Sequence, residues 1–90
     1  MGRSIRWTRR ALARLDAIAQ HIGNDNPERA QTFVGELRSQ LDLLRRHTPG
    51  TPGRVFGTKE LVLHKNYIAV YRIVGDEVQV ITLLHAAQQR

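Results

Sequence analysis

The sequence predicts an α+β domain of order β-α-α-β-β-β, in which a helical hairpin packs on a small antiparallel sheet. Three observations predict it. Apolar residues recur at helical spacing from Leu12 to Leu44. After Gly57 they give way to short runs rich in β-branched and aromatic residues, the pattern of strands. Between the halves stands Pro49-Gly50-Thr51-Pro52-Gly53, punctuation that marks a loop.

The elements follow in order. Ser4-Ile5-Arg6-Trp7 alternates briefly, as a short strand does. Thr8 stands where a helix N-cap belongs, and behind it Leu12, Leu15, Ile18, Ala19 and Ile22 form an apolar stripe. Gly23-Asn24-Asp25-Asn26 is expected to break that helix. A second helix starts with Asn26 as N-cap, Pro27 at its first position and Glu28 favouring the dipole. Its stripe is Ala30, Phe33, Val34, Leu37, Leu41 and Leu44. Two helices joined this closely fold back on each other and cover one face of a sheet. From Arg54 onward the chain reads as strand and turn, with His64-Lys65-Asn66 and Val74-Gly75-Asp76-Glu77 as hairpin links.

Ninety residues, of which 41% are hydrophobic, allow one domain (residues 1–90) with a single thin core. A site is therefore expected on the surface or in a groove. The net charge of +6 is carried mainly by arginine, with Lys59 and Lys65 the two lysines. Arg3, Arg6, Arg9, Arg10 and Arg14 all precede the first acid, Asp16. Such a cluster suits nucleic acid or an acidic protein segment; it is also what a solvated helix start looks like, although cations there oppose the helix dipole. The chain has no cysteine, which excludes disulfides and thiol catalysis. No apolar run suggests a secretory signal or a transmembrane span, so a soluble cytoplasmic protein is expected.

Six segments carry a family resemblance. They are Ile5-Arg6-Trp7-Thr8; Asn26-Pro27 with Ala30 and Phe33-Val34; the Pro49-Gly50 region; Lys59-Glu60-Leu61; Tyr67-Ile68 with Val70-Tyr71-Arg72; and Leu84-His85-Ala86-Ala87-Gln88. In order and interval they resemble the RelE/ParE superfamily, the toxin halves of bacterial type II toxin–antitoxin pairs, and the wording of the last two is similar to the ParE branch. The resemblance implies a toxin that inhibits DNA gyrase and is neutralised by a cognate antitoxin. The alternative it implies is a RelE-like endoribonuclease that cleaves mRNA on the ribosome. No cofactor is expected.

If the chain is a nuclease, 2′-hydroxyl attack needs a base, an acid and cations for the developing phosphorane charge. Glu60 or His64 would serve as base and His85 as acid, with Arg54, Lys59 or Arg72 as charge stabilisers. Strand alternation sets Glu60 and His64 on one face and Lys59 on the other. Thr82 stands where many RelE-type members carry an arginine. His85 also reads as a strand-end histidine bonded within the fold, Tyr67 and Tyr71 as half-buried sheet residues, and Trp7 as a core anchor. His21, His47, His64 and His85 lack metal-ligand spacing, so no metal is expected, and no phosphate-binding Gly-rich loop is present.

If the chain is a gyrase inhibitor, no residue performs chemistry. The expected target surface is then Arg54, Lys59, Lys65, Arg72 and Arg90. An antitoxin segment that folds on binding is expected to meet Leu12, Leu15 and Phe33 with Arg10 and Arg14, its acids drawn to the arginines and a sheet edge covered with them.

Overall fold

The computed structural model describes residues 2–47, 51–53, 56–63 and 67–85. Strand β1 (Ser4–Trp7) is followed by helices α1 (Arg9–Asp25) and α2 (Pro27–Asp42), then a 3₁₀ turn at Leu43–Arg45. Strands β2 (Thr51–Pro52), β3 (Lys59–Leu63), β4 (Tyr67–Val74) and β5 (Glu77–His85) complete the chain. The expected α+β class holds.

Each helix starts where its cap allows. The Thr8 hydroxyl accepts the Ala11 N–H at 3.1 Å, satisfying one of the donors that a helix start leaves open. Asn26 serves both helices: its N–H donates to the Ile22 carbonyl at 3.0 Å, and its side chain accepts the Arg29 N–H at 3.1 Å. The first helix therefore runs through Gly23 to Asp25, beyond the break expected at Gly23. The reason is spatial. A β-carbon at Gly23 would lie 3.5 Å from that of Ala30, so this glycine marks where the helices approach each other. The chain reverses one residue later in its capping, at Asn26.

The sheet has the order β1-β5-β4-β3-β2. The neighbours β2–β3, β3–β4 and β4–β5 are antiparallel. β1 adds to β5 in parallel, Ser4 opposite Glu77 and Trp7 opposite Val80. The expected antiparallel C-terminal sheet is thus present, and the first strand makes the whole sheet mixed. A parallel neighbour requires a crossover, and the helical hairpin begins that crossover. β2 falls within the expected Pro49–Gly53 loop; Pro52 is tolerated there because β2 is an edge strand. Gly53 follows it closely, donating its N–H to the Thr58 carbonyl at 2.8 Å. The link between β4 and β5 is Gly75-Asp76, with Gly75 at φ 58°, a conformation that favours glycine. The His64-Lys65-Asn66 link lies outside the described residues.

One layer of core lies between the helices and the sheet. Ala11 and Leu15 from α1, and Phe33, Leu37 and Leu41 from α2, meet Leu63, Ala69, Tyr71, Val78, Val80 and Leu83, with Leu44 closing one end. The 33–37–41 spacing is one residue per turn along one helix stripe. Ile5 and Trp7 pack against the core from β1. Val80 and Leu83 are both buried although three residues apart. The register explains this: Tyr71 pairs with Val80 and Val70 with Thr82, leaving Ile81 as an extra residue. That bulge reverses the alternation of β5.

Candidate target-binding surface

The two faces of the sheet carry different chemistry. On the helix face the paired residues are Lys59 with Tyr71, Leu61 with Ala69, and Leu63 with Tyr67. The outer face carries Glu60, Val62, Ile68, Val70 and Arg72, following the alternation of a strand.

A polar row crosses the outer face near β1. Arg6 pairs with Gln79 on β5, and Gln79 pairs with Arg72 on β4. Neighbouring strands lie about 4.8 Å apart, so the two arginines are separated by roughly 10 Å of sheet. Both are exposed. Gln79 lies between them and bonds to Arg72 and Glu77: its Oε1 accepts Arg72 Nε–H at 3.1 Å, and its Nε2 donates to Glu77 Oε1 at 2.9 Å. These bonds hold the Arg72 fork in a defined orientation, the arrangement that suits arginine to planar anions. Next to this row, Val70 and Thr82 are buried, whereas Val62 is 62% exposed.

The helix face ends in an aromatic chain. Phe33 meets Tyr67 edge-on at 5.2 Å, and Tyr67 meets His85 at 5.1 Å and 86°, both within the favourable range for aromatic pairs. Tyr67 and His85 are cross-strand partners. They open on a groove of about 200 Å³ whose far wall is Arg14, Ile18 and His21 of α1. Deeper in the core, Tyr71 is fully buried. Burial pushes its phenol above the ordinary value of 10.0, and the positive charge of Arg3 opposes that shift.

The residues singled out from sequence divide accordingly. Arg72 is exposed on the outer face, whereas Lys59 is half-buried on the helix face, so these two do not share a surface. Arg54, Lys65 and Arg90 lie outside the described residues. In the nuclease set, Glu60 and Arg72 share the outer face, but His85 projects from the helix face beside Tyr67. His64 lies outside the described residues. In the antitoxin set, Leu15 and Phe33 are core residues and not the surface residues expected, because the stripe that carries them packs against the sheet. Leu12 is 43% exposed, and Arg10 and Arg14 are exposed with it on α1. Arg6 and Gln79 were missed as a site. The alternation around Ile5 and Trp7 already sends Arg6 to the outer face, but its pairing with β5 has no local signal. Among the described residues no cluster of three or more His, Asp or Glu side chains is placed to hold a metal ion.

The family model described as the ParE toxin of the type II toxin–antitoxin system parDE matches residues 5–90. The chain belongs to the ParE toxin family. As a ParE-family toxin, it is the toxin half of a type II toxin–antitoxin pair, and a cognate antitoxin is implied. It is 45% identical over 87 residues to the candidate toxin Y4kP of Sinorhizobium fredii, covering 94% of this chain and 90% of that one. It is 32% identical over 82 residues to toxin RelE2 of Caulobacter vibrioides, covering 91% and 93%. A solved structure of the chromosomal ParDE toxin–antitoxin system from P. aeruginosa superposes with a TM-score of 0.84 at 32% identity, covering 92% of this chain and 95% of the other. In this ParE-family toxin no helix among the described residues is long and apolar enough to cross a membrane.

Proposed function

We propose that this toxin inhibits DNA gyrase, as a ParE-like poison held inactive by its antitoxin. The observation that carries the reading is the division of the nuclease candidates between two faces of the sheet. Glu60 and Arg72 are on one side, and His85 is packed against Tyr67 on the other. General acid–base cleavage needs base, acid and cation around one phosphate. A protein contact needs no such convergence. The outer-face row Arg6–Gln79–Arg72 is the surface we assign to the target. Lys59, on the helix face, drops out of that assignment, while Arg54, Lys65 and Arg90 stay with it on sequence grounds.

The antitoxin is assigned to the outer side of α1. Leu12 supplies exposed apolar area there, and Arg10 and Arg14 supply the charge that attracts an acidic segment folding on binding. The deciding experiment is gyrase supercoiling and cleavage with purified toxin, with and without antitoxin. Cleaved plasmid that accumulates with toxin and disappears with antitoxin supports the reading. An unaffected gyrase overturns it for the enzyme tested.

A RelE-like activity on mRNA is the second reading, favoured by one observation. Arg14, His21, Tyr67 and His85 line a single groove, which places a guanidinium and two imidazoles within one site. Transcript cleavage in translating ribosomes, lost in His85→Ala, would support it.

A further inference from the structure

A second set of arginines gathers where the start of β1 meets the end of the helical hairpin. Arg3, Arg45 and Arg46, with Gly2 and Asp76, line one open cavity of about 480 Å³. Two of the three guanidinium groups are held in place by the fold. The Arg3 N–H donates to the Arg45 carbonyl at 2.8 Å, and Arg3 Nη1 donates to the Leu44 carbonyl at 3.3 Å. Arg45 Nη1 returns to the Arg3 carbonyl at 3.5 Å, while its Nε is fixed by the Asp42 carboxylate. Among the described residues the Arg46 guanidinium has no hydrogen-bond or ion-pair partner, and Arg46 is exposed.

The charge balance favours an anion. Asp42 offsets Arg45, and Asp76 brings one carboxylate to the cavity wall. Three cations against two anions leave an excess of one, with the forks of Arg3 and Arg46 the least neutralised. Holding like charges together is unfavourable unless a counter-ion joins them. Guanidinium groups brought together from two segments of the chain suit a tetrahedral oxyanion, whose several oxygens can accept from separate forks. The opening matters too. An open cavity admits a phosphate that is part of a longer strand, and the net charge of +6 draws a polyanion to the protein.

We propose that this cavity binds a phosphoryl oxyanion carried by a nucleic-acid strand. The site is separate from the target surface assigned above and does not depend on which target the toxin has. The test uses the full chain labelled for NMR, following the arginine Nε–H signals. It is titrated with inorganic phosphate and with a short single-stranded oligonucleotide of mixed sequence, and repeated in Arg46→Gln and in a control, Arg29→Gln, on the exposed side of α2. Saturable shifts of Arg3, Arg45 and Arg46 with the oligonucleotide are expected. Arg46→Gln should weaken that binding several-fold and reduce its salt slope by about one, and Arg29→Gln should leave both unchanged. Shifts with inorganic phosphate alone would make this a free-phosphate site and overturn the nucleic-acid assignment. Equal losses in both variants would reduce it to attraction by net charge. Tighter competition by an acidic peptide than by the oligonucleotide would give the cavity to a protein segment. No saturable shift would remove the site altogether.

Discussion

Thr8 donates its hydroxyl to the carbonyl of Ile81 at 2.7 Å, across 73 residues of chain. The partner is not incidental. Ile81 is the extra residue of the β5 bulge, whose backbone groups the ladder leaves unpaired. The same Thr8 oxygen accepts the Ala11 N–H, and the Thr8 N–H donates to Val80 at 3.1 Å. One side chain therefore starts α1, satisfies the bulge and fastens β1 to β5. Thr8→Ala should cost about 1–2 kcal/mol, a lost cap together with a lost hydrogen bond. Thr8→Ser should recover most of it. Urea denaturation of the two variants checks the prediction, and equal stabilities would contradict it.

Leu37 and Leu12 separate core from surface. Leu37 is fully buried against the sheet, and Leu37→Ala should cost about 2–5 kcal/mol. In so small a domain that loss approaches the whole stability, and the variant is expected to melt far below the parent. Leu12→Ala, at a position left 43% exposed, should change stability by no more than about 0.5 kcal/mol. Its effect should appear in antitoxin affinity, measured by calorimetric titration. An unchanged affinity would move the antitoxin surface away from α1.

Tyr71 gives the protein a sensitivity to alkaline pH. Its folded-state pKa is raised above 10.0, chiefly by burial, so the unfolded chain loses this proton first as pH rises. The unfolded state then binds fewer protons than the native state, and stability falls with increasing pH. The contribution is complete below pH 10.0 and is lost as pH climbs from there through the raised folded value. Denaturation midpoints measured from pH 8 to 11 should decline accordingly. Tyr71→Phe should decline less steeply over the same range, and an identical slope would assign the effect to another group.

Arg6 and Arg72 share the outer face, so their charge reversals should act alike. Arg6→Glu and Arg72→Glu should each raise the toxin concentration needed for plasmid cleavage by about tenfold, equivalent to about 1.4 kcal/mol of binding. Both side chains are exposed, so circular dichroism and melting should stay close to the parent. Glu60→Gln and His85→Gln should leave gyrase inhibition unchanged. If instead the latter pair abolish toxicity together with mRNA cleavage, the nuclease reading takes over.

Gly53 and Thr58 approach so closely that a β-carbon on Gly53 would collide with the Thr58 hydroxyl. Gly53→Ala should therefore destabilise the β2–β3 corner by about 1–3 kcal/mol through overpacking, read as a lower melting temperature. Thr58→Ala combined with it should remove the collision with the hydroxyl and recover part of the loss, the 3.2 Å approach to the Thr58 backbone remaining.

The sequence by itself determined the element order, both helix starts, the helix stripe at Phe33, Leu37 and Leu41, and the family. The family rests on a resemblance, and the rest on short-range physics: a cap a few residues from the donor it satisfies, an apolar residue every turn, a glycine in a tight turn. It also showed that Glu60 and Lys59 must face opposite ways, since that follows from strand alternation alone. The tertiary structure decided everything that depends on which strand lies beside which. Nothing near Arg6 says that Gln79 will be its neighbour, because parallel pairing joins residues with the entire helical hairpin between them. The bulge at Ile81 shifted β5 by one residue, so periodicity read through it assigns half the strand to the wrong face. Leu12 and Leu15 look equivalent in an apolar stripe, but only packing against a finite sheet decides that Leu15 is enclosed and Leu12 is left at the edge. The arginine cavity is of the same kind: Arg3 and Arg45 are unremarkable charges in sequence and become a site only when the fold brings the two ends of the hairpin and sheet together.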